Sequence, residues 1–205
     1  MKDRHSLVGK SEYTVLKRAF QFDVLIKSGM ERHHKFMDIG SGSLRNSETL
    51  RYLNEGCYHG IEVREDIFLE GLKEFHEQGL EAKEPDLRLF SDFRELDYPV
   101  NSFDRMLAYS VLIHMDDDTA KSCLAFVARY LSENGLFFAN VNVADEPDAE
   151  WSGFPVVFRS EQFYNDLCAD NGLDCVSLGP VSRLGHESGN KLGDAQIMLL
   201  MRHKH

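Results

Sequence analysis

The chain has 205 residues, of which 42% are hydrophobic and 28% charged, as in an ordinary soluble globular protein with one substantial core. Its formal net charge of −11 argues against a protein that binds nucleic-acid backbones, because that binding needs Lys and Arg concentrated on one face. No apolar stretch approaches the roughly 18–20 residues of a membrane span, and no cysteine pair has the spacing of a zinc site. We therefore expect a single cytoplasmic domain over residues 1–205, without a metal and without a membrane partner.

Helix-like and strand-like segments alternate through the first half of the chain. Apolar spacing predicts helices over residues 11–28, 44–54 and 65–78, and apolar runs predict strands over 35–39, 57–62 and 87–90. In the first helix one face carries Val15, Ala19, Phe22 and Ile26, and in the third we expect Ile67, Leu69, Leu72 and Phe75 to face inward.

The second half continues the alternation but ends differently. Strands are predicted over 103–109, 136–141, 173–178 and 195–202, helices over 118–131 and 160–171, with a turn at Asn134-Gly135 and irregular segments over 142–155 and 179–194. Strand–helix alternation predicts a parallel sheet with helices on both faces. Because no helix separates the last two strands, we expect the last one to run antiparallel.

The run from Phe36 to Ser43 is the most informative motif. An apolar strand leads into Asp38, and a loop with Gly40 and Gly42 follows, so that the backbone can turn tightly and a ligand can approach closely. A dinucleotide-binding loop would have a third glycine where this chain has Arg45. A carboxylate before the loop favours a ligand that carries an ammonium group over a pyrophosphate.

This run resembles the cofactor loop of class I S-adenosylmethionine (SAM)-dependent methyltransferases, whose pattern is apolar-apolar-Asp-apolar-Gly-x-Gly. The resemblance implies an α/β, Rossmann-like methyltransferase fold: a seven-stranded, mostly parallel sheet with an antiparallel last strand and helices on both faces. It also implies SAM as cofactor and S-adenosylhomocysteine (SAH) as product. We divide the domain into an N-terminal helical cap (1–34), a SAM-binding core (35–142) and a C-terminal part with acceptor-side loops (143–205).

Further acidic residues follow the neighbouring strands. Glu62 lies 20 residues after Gly42 at the end of the second strand, where a carboxylate can accept hydrogen bonds from ribose hydroxyls; alternatively, it is a surface residue at a helix start. By resemblance, Asp92 binds the adenine amino group and Phe93 packs on the ring; alternatively, Asp92 is a turn residue. The resemblance also places Ser41, Val63, Tyr109 and Ser110 in the cofactor site.

His114 follows the fourth predicted strand, whose end faces the methyl group and the acceptor in the family. Its ordinary pKa suits a general base, and the alternative is a residue that positions the next loop. The run 116–118 is better explained as an acidic helix start than as a magnesium site. Side chains outside the cofactor motifs could bind the acceptor: Tyr13, Phe20, Trp151, Phe154, Arg183, His186 and Lys191.

The sequence therefore predicts a SAM-dependent methyltransferase that acts on a small molecule, with O-methylation slightly favoured. A non-catalytic SAM- or nucleoside-binding module is the main alternative. An NAD(P)-dependent oxidoreductase is disfavoured by Asp38, the missing third glycine and the paired final strands. We expect a small-molecule acceptor as partner, do not expect nucleic acid, and consider a homodimer compatible with the sequence.

Overall fold

The computed structural model describes residues 13–151 and 153–204, and the chain divides into two compact units, Met1–Ser91 and Asp92–His205. The start of the first predicted helix, together with residues 1–12 of the predicted cap, lies outside the described residues. The helices are α1 (Thr14–Lys27), α2 (Ser47–Tyr52), α3 (Glu65–Glu77), α4 (Asp117–Tyr130), α5 (Glu161–Asp170) and α6 (Lys191–Ala195). The strands are β1 (Phe36–Ile39), β2 (Tyr58–Glu62), β3 (Asp86–Leu89), β4 (Phe103–Ala108), β5 (Leu131–Val141), β6 (Ala149–Trp151), β7 (Phe154–Val156), β8 (Leu173–Pro180) and β9 (Ile197–His203).

Seven strands form one sheet in the order β3-β2-β1-β4-β5-β9-β8. The pairs β1–β2, β2–β3 and β4–β5 are parallel, whereas β9 runs antiparallel to both β5 and β8. The sheet confirms the predicted α/β fold with its antiparallel last strand. Within each unit, the carboxyl ends of parallel strands meet at one edge, where ligands of open α/β sheets bind.

In the first unit, the faces that helices α1 and α3 bury in the core differ from the predicted faces. The core side of α1 carries Phe20, Val24 and Leu25, whereas the side chain of Val15 is 78% exposed. On α3, Ile67 is buried as predicted, but Leu69 is 48% exposed and the prediction for it was wrong. Two residues correspond to about 200° around a helix, so that Leu69 points away from the face that Ile67 buries.

In the second unit, the turn predicted at Asn134-Gly135 lies inside β5. Phe103 pairs with Leu131 but Arg105 pairs with Leu136, so that two steps along β4 match five along β5. The three extra residues form an irregularity where we had predicted a turn.

Two further predictions in the second unit can be compared with the structure. The segment 142–155, predicted to be irregular, contains β6 and the start of β7, which pair as a hairpin. The predicted N-cap of α5 is confirmed, since the Ser160 hydroxyl accepts a hydrogen bond from the Phe163 N–H at 3.2 Å.

Among the described residues, no helix combines the length and the apolar character needed to cross a bilayer.

Candidate functional site

The glycine loop after β1 has the backbone conformation that its residues predict. Gly40 and Gly42 have φ values of 69° and 60°, in the left-handed region where glycine has no Cβ to clash. The N–H groups of Gly40 and Ser41 both donate to the carbonyl of Ile61, at 2.8 and 2.9 Å. The end of β2 therefore holds the start of the loop in place.

Glu62 fixes the other side of the same loop. Its side chain is buried, and Oε2 accepts a hydrogen bond from the Gly42 N–H at 2.9 Å. Oε1 accepts from the N–H groups of Val63 and Arg64, at 2.8 and 3.0 Å. A carboxylate offers about four lone pairs. These bonds to described residues leave acceptor capacity on Oε2, the oxygen nearer the glycine loop.

Asp38 is buried at the end of β1, with 3% of its surface exposed. Its Oδ2 accepts a hydrogen bond from the Tyr58 hydroxyl at 2.6 Å. Burial raises the pKa of Asp38 to about 7; the charge of Glu62 raises it as well, while the bond from Tyr58 and the charge of Arg45 lower it. The carboxyl group that precedes the loop therefore titrates near neutral pH.

Sequence reasoning missed Tyr58, and Gly60 explains how its ring reaches Asp38. Asp38 pairs with Gly60 across β1 and β2, two residues beyond Tyr58. A Cβ on Gly60 would lie 2.9 Å from a Leu87 methyl carbon and 3.2 Å from the Tyr58 ring. Because Gly60 has no side chain, there is room for the ring of Tyr58. The signal in the sequence that could have predicted this contact was an aromatic residue followed two positions later by glycine.

The residue at the position of the third glycine, Arg45, is buried beside the loop. Its carbonyl accepts a hydrogen bond from Arg18 Nε at 3.0 Å, and the Arg18 guanidinium lies 3.1 Å from a Glu74 carboxylate oxygen. Burial, and then the charge of Arg45, lowers the pKa of Lys17 to about 8. The loop is therefore tied to α1 and α3. Sequence reasoning had assigned no role to Lys17 or Arg18, the two cationic residues of α1 beside Arg45.

Helix α3 approaches the glycine loop very closely at Gly71. A Cβ on Gly71 would lie 3.0 Å from the Gly42 carbonyl oxygen and 3.3 Å from the Leu44 nitrogen. A side chain at this position would force the loop or the helix to shift by a few tenths of an ångström, and nothing in the spacing of α3 predicted so close an approach.

In the second unit, Asp92 has the geometry of the turn residue that we considered as its alternative role. Its side chain accepts a hydrogen bond from the Arg94 N–H at 2.9 Å, and the Arg94 guanidinium bonds both carboxylate oxygens. These bonds lower the pKa of Asp92 to about 2. Phe93 is buried, and its ring centroid lies 5.3 Å from that of Phe126 on α4.

Tyr109 and Ser110 follow β4, and Ser110 is held in the left-handed region with φ 59°. Its N–H donates to Oδ1 of Asn140 at 2.6 Å, and Asn140 Nδ2 donates to Oε1 of Gln196 at 2.6 Å. Gln196 Nε2 in turn donates to Oδ1 of Asn142 at 3.1 Å. This buried chain of amides, which sequence reasoning missed, fixes a backbone conformation that costs a residue other than glycine about 1 kcal/mol or more.

His114 is oriented by a backbone carbonyl. Its Nδ1 lies 2.6 Å from the Pro155 oxygen, and its ring centroid lies 5.5 Å from that of Phe154. Because a carbonyl oxygen can only accept, Nδ1 carries the proton of the neutral ring and Nε2 carries the lone pair. This is the tautomer in which a histidine accepts a proton through Nε2.

The predicted acceptor-side residues differ in exposure. Phe20 is only 4% exposed and belongs to the core, whereas Trp151 is 42% exposed and its ring stacks on Phe154. Arg183 and Lys191 are exposed, and Tyr13 is half-buried. His186 is buried, with its Nδ1 3.3 Å from Oδ1 of Asp194.

The acidic run at the start of α4 has a structural role. Asp116 caps the helix by accepting a hydrogen bond from the Thr119 N–H at 2.8 Å. Arg159 bridges Asp117 and Asp148, at 2.8 and 2.6 Å. The described residues bring together one group of metal-ligand type elsewhere, namely Glu31, His33 and His34 before β1.

Comparison with known proteins identifies the family of this chain. The family model described as a methyltransferase domain matches residues 37–139, half of the chain. No curated protein sequence matches the chain.

Solved structures resemble the chain over nearly its whole length. A SAM-dependent methyltransferase from Clostridium acetobutylicum is 13% identical, with a TM-score of 0.69, covering 94% of this chain and 92% of its own. The 1,6-didemethyltoxoflavin-N1-methyltransferase from Burkholderia thailandensis is 19% identical, with a TM-score of 0.70, covering 98% and 87%. A mitomycin 7-O-methyltransferase is 22% identical, with a TM-score of 0.64, covering 92% and 54%. These likenesses confirm the methyltransferase fold.

Proposed function

The chain belongs to the methyltransferase domain family and is a SAM-dependent methyltransferase, and we propose that its acceptor is a small organic molecule whose oxygen is methylated. The observation that carries the proposal is the orientation of His114, whose Nδ1 is tied to the Pro155 carbonyl. A hydroxyl group must lose its proton as it is methylated, so that a histidine held in this tautomer suits an oxygen acceptor.

The residues of the first unit fit the cofactor. The carboxylate of Glu62, held against the glycine loop, has acceptor capacity left for a ribose hydroxyl, and the buried carboxyl of Asp38 suits the ammonium group of the methionyl part. The loop of Gly40, Ser41 and Gly42 lets the ligand approach the backbone. SAM, when bound, supplies a methyl group on a positively charged sulfur.

In the second unit we propose that Asp92 and Phe93 bind the adenine and that Tyr109 and Ser110 are further cofactor residues; in the first unit we propose the same for Val63. For Asp92 this role requires a change, because Arg94 engages both of its oxygens. The amide chain through Asn140 supports the proposal for Ser110, since it holds that backbone in a defined strained conformation.

The chain's own residues would assist an in-line displacement. His114 Nε2 would accept the proton that the acceptor hydroxyl loses, while the loop of the first unit would hold the cofactor that supplies the methyl group. Most of the rate gain comes from aligning the two partners and excluding water. Trp151 and Phe154, stacked beside His114, are the aromatic surface that we propose for the acceptor.

A small acceptor is supported by charge and by the relatives. The net charge of −11 disfavours nucleic acid. The toxoflavin-type methyltransferase and the mitomycin methyltransferase act on small molecules according to their names, one at nitrogen and one at oxygen.

The test is turnover of SAM to SAH with a panel of phenols, carboxylic acids and amines, comparing wild type with His114→Gln. His33→Gln, a change at an exposed histidine before β1, is the matched control. We expect His114→Gln to lower kcat for a hydroxyl acceptor about 100-fold or more, with unchanged affinity for SAH by calorimetry. Turnover of amines alone, or full activity of His114→Gln with a hydroxyl acceptor, would refute oxygen methylation or the role of the base, respectively.

A further inference from the structure

Asp38 and Tyr58 form a buried acid–phenol pair in the first unit. Their side chains are 3% and 0% exposed, and 2.6 Å separates the Tyr58 hydroxyl from Oδ2 of Asp38. Both residues lie on paired strands, β1 and β2, rather than on a loop, so that the pair is held in one geometry.

The groups facing Asp38 oppose one another. From β2, Tyr58 donates a hydrogen bond that favours the carboxylate, while the negative charge of Glu62 disfavours it. From the segment between the loop and α2, the charge of Arg45 and the amide of Asn46 favour the carboxylate. Burial outweighs these favourable contacts, which places the pKa of Asp38 at about 7.

A cationic ligand group changes this balance. An ammonium group next to Asp38 favours the ionised form, just as any opposite charge within a few ångströms does. Proton loss and ligand binding are then thermodynamically linked. Below neutral pH the protein must give up a proton before the carboxylate can pair with the ligand.

We propose that binding of the ammonium end of SAM or SAH expels one proton from Asp38 to solvent, and that Tyr58 is the positioning residue that sets the pH at which this occurs. The inference rests on the proposed function, in which Asp38 binds the methionyl part of the cofactor. In the balanced step, the Asp38 carboxylic acid and the ligand ammonium become a carboxylate–ammonium pair and one released proton.

The proton count is measured by calorimetry of SAH binding in buffers of different ionisation enthalpy. With a pKa of about 7, release should be about 0.9 proton at pH 6, about 0.5 at pH 7 and about 0.1 at pH 8. The affinity for SAH should fall about tenfold per pH unit below that pKa. 5′-Methylthioadenosine, which lacks the amino-acid end, is the ligand control and should bind without releasing the proton.

Tyr58→Phe removes the hydrogen bond, and we expect it to move the curve of proton release upward by about one pH unit. Tyr130→Phe is the matched control, because it also removes one hydrogen bond of a buried tyrosine, to the Leu96 carbonyl, far along the chain from Asp38. Its curve should coincide with that of wild type. Circular dichroism verifies that each variant is folded. The comparison of SAH with 5′-methylthioadenosine tests proton release in the wild-type protein, without any substitution.

The outcomes separate the inference from the function on which it rests. SAH binding without proton release at pH 6, equal release with 5′-methylthioadenosine, or an unmoved curve in folded Tyr58→Phe would each overturn the inference and leave the function standing. Failure of folded wild type to bind SAH at any pH would overturn the proposed role of Asp38 in cofactor binding, and the inference with it.

Discussion

Replacing Asp38 with asparagine should make the unliganded protein less sensitive to rising pH. The folded-state pKa of Asp38, about 7, lies above the value of about 3.9 for an exposed aspartate. Between these values the folded state binds the extra proton, so that the free energy of unfolding decreases as pH rises toward 7 and levels off above it. An asparagine side chain still offers an oxygen that can accept the hydrogen bond from the Tyr58 hydroxyl, but it does not ionise.

The magnitude follows from the width of the titration window. The slope is close to 1.4 kcal/mol per pH unit well below the folded pKa and halves where the pH reaches it, so that wild type loses about 2 kcal/mol relative to Asp38→Asn between pH 5 and pH 7. Because Asp38 is buried, screening by solvent does not reduce this difference. Asp118→Asn, at a carboxylate whose side chain is 94% exposed, is the control and should follow wild type throughout.

Urea unfolding followed by circular dichroism at pH 5, 6, 7 and 8 measures these free energies. The difference between Asp38→Asn and wild type should grow in favour of the variant up to about pH 7 and level off toward pH 8. A difference that does not depend on pH would refute the reasoning, because it would mean that Asp38 remains ionised in the folded protein at pH 5.

Three other substitutions test the contacts around the loop and one helix cap. Gly71→Ala should destabilise the protein in urea unfolding and weaken SAH binding in calorimetry, despite a gain in helix propensity of about 1 kcal/mol, because the new Cβ would meet the Gly42 carbonyl at 3.0 Å. Gly193→Ala, whose Cβ would have no neighbour closer than 3.7 Å, is its control, and equal effects of the two changes would contradict the close approach. Glu62→Ala should cost about 2 kcal/mol in urea unfolding and lower SAH affinity at least tenfold, since three backbone N–H groups lose a charged acceptor; wild-type stability would speak against that role. Ser160→Ala should cost about 1 kcal/mol of unfolding free energy with SAH affinity unchanged, and no loss would mean that the cap contributes nothing.

Local patterns in the sequence were enough to predict most of the fold and part of the site. The alternation of strands and helices predicts the α/β class, and the absence of a helix between the last two strands predicts the antiparallel strand. The seven-stranded methyltransferase sheet came from the resemblance of the glycine loop. The spacing between Gly42 and Glu62 placed a carboxylate at the end of the next strand, where it indeed bonds the glycine loop. Both inferences depend on short-range periodicity and on which strand ends share an edge.

The remaining contacts depend on distances that a linear pattern does not contain. The hydroxyl of Tyr58 on β2 donates a hydrogen bond to Asp38 on the neighbouring strand β1. The side chain of Asn140 donates a hydrogen bond to Gln196, 56 residues further along the chain. Leu69 is apolar and was assigned to the core, but its angular position on α3 turns it to solvent. Identifying such contacts requires the packing of side chains, since apolar character alone does not decide which face is buried.

The bonds of Glu62 to the glycine loop also bear on how relatives of this chain are read. Because this side chain accepts hydrogen bonds from three backbone N–H groups of its own unit, the loop needs it for its shape. A descendant that had lost catalysis would still be selected to keep an acid here for as long as it had to fold. An acid at this position therefore marks an intact loop, and activity in a relative must be judged from residues that the fold does not need.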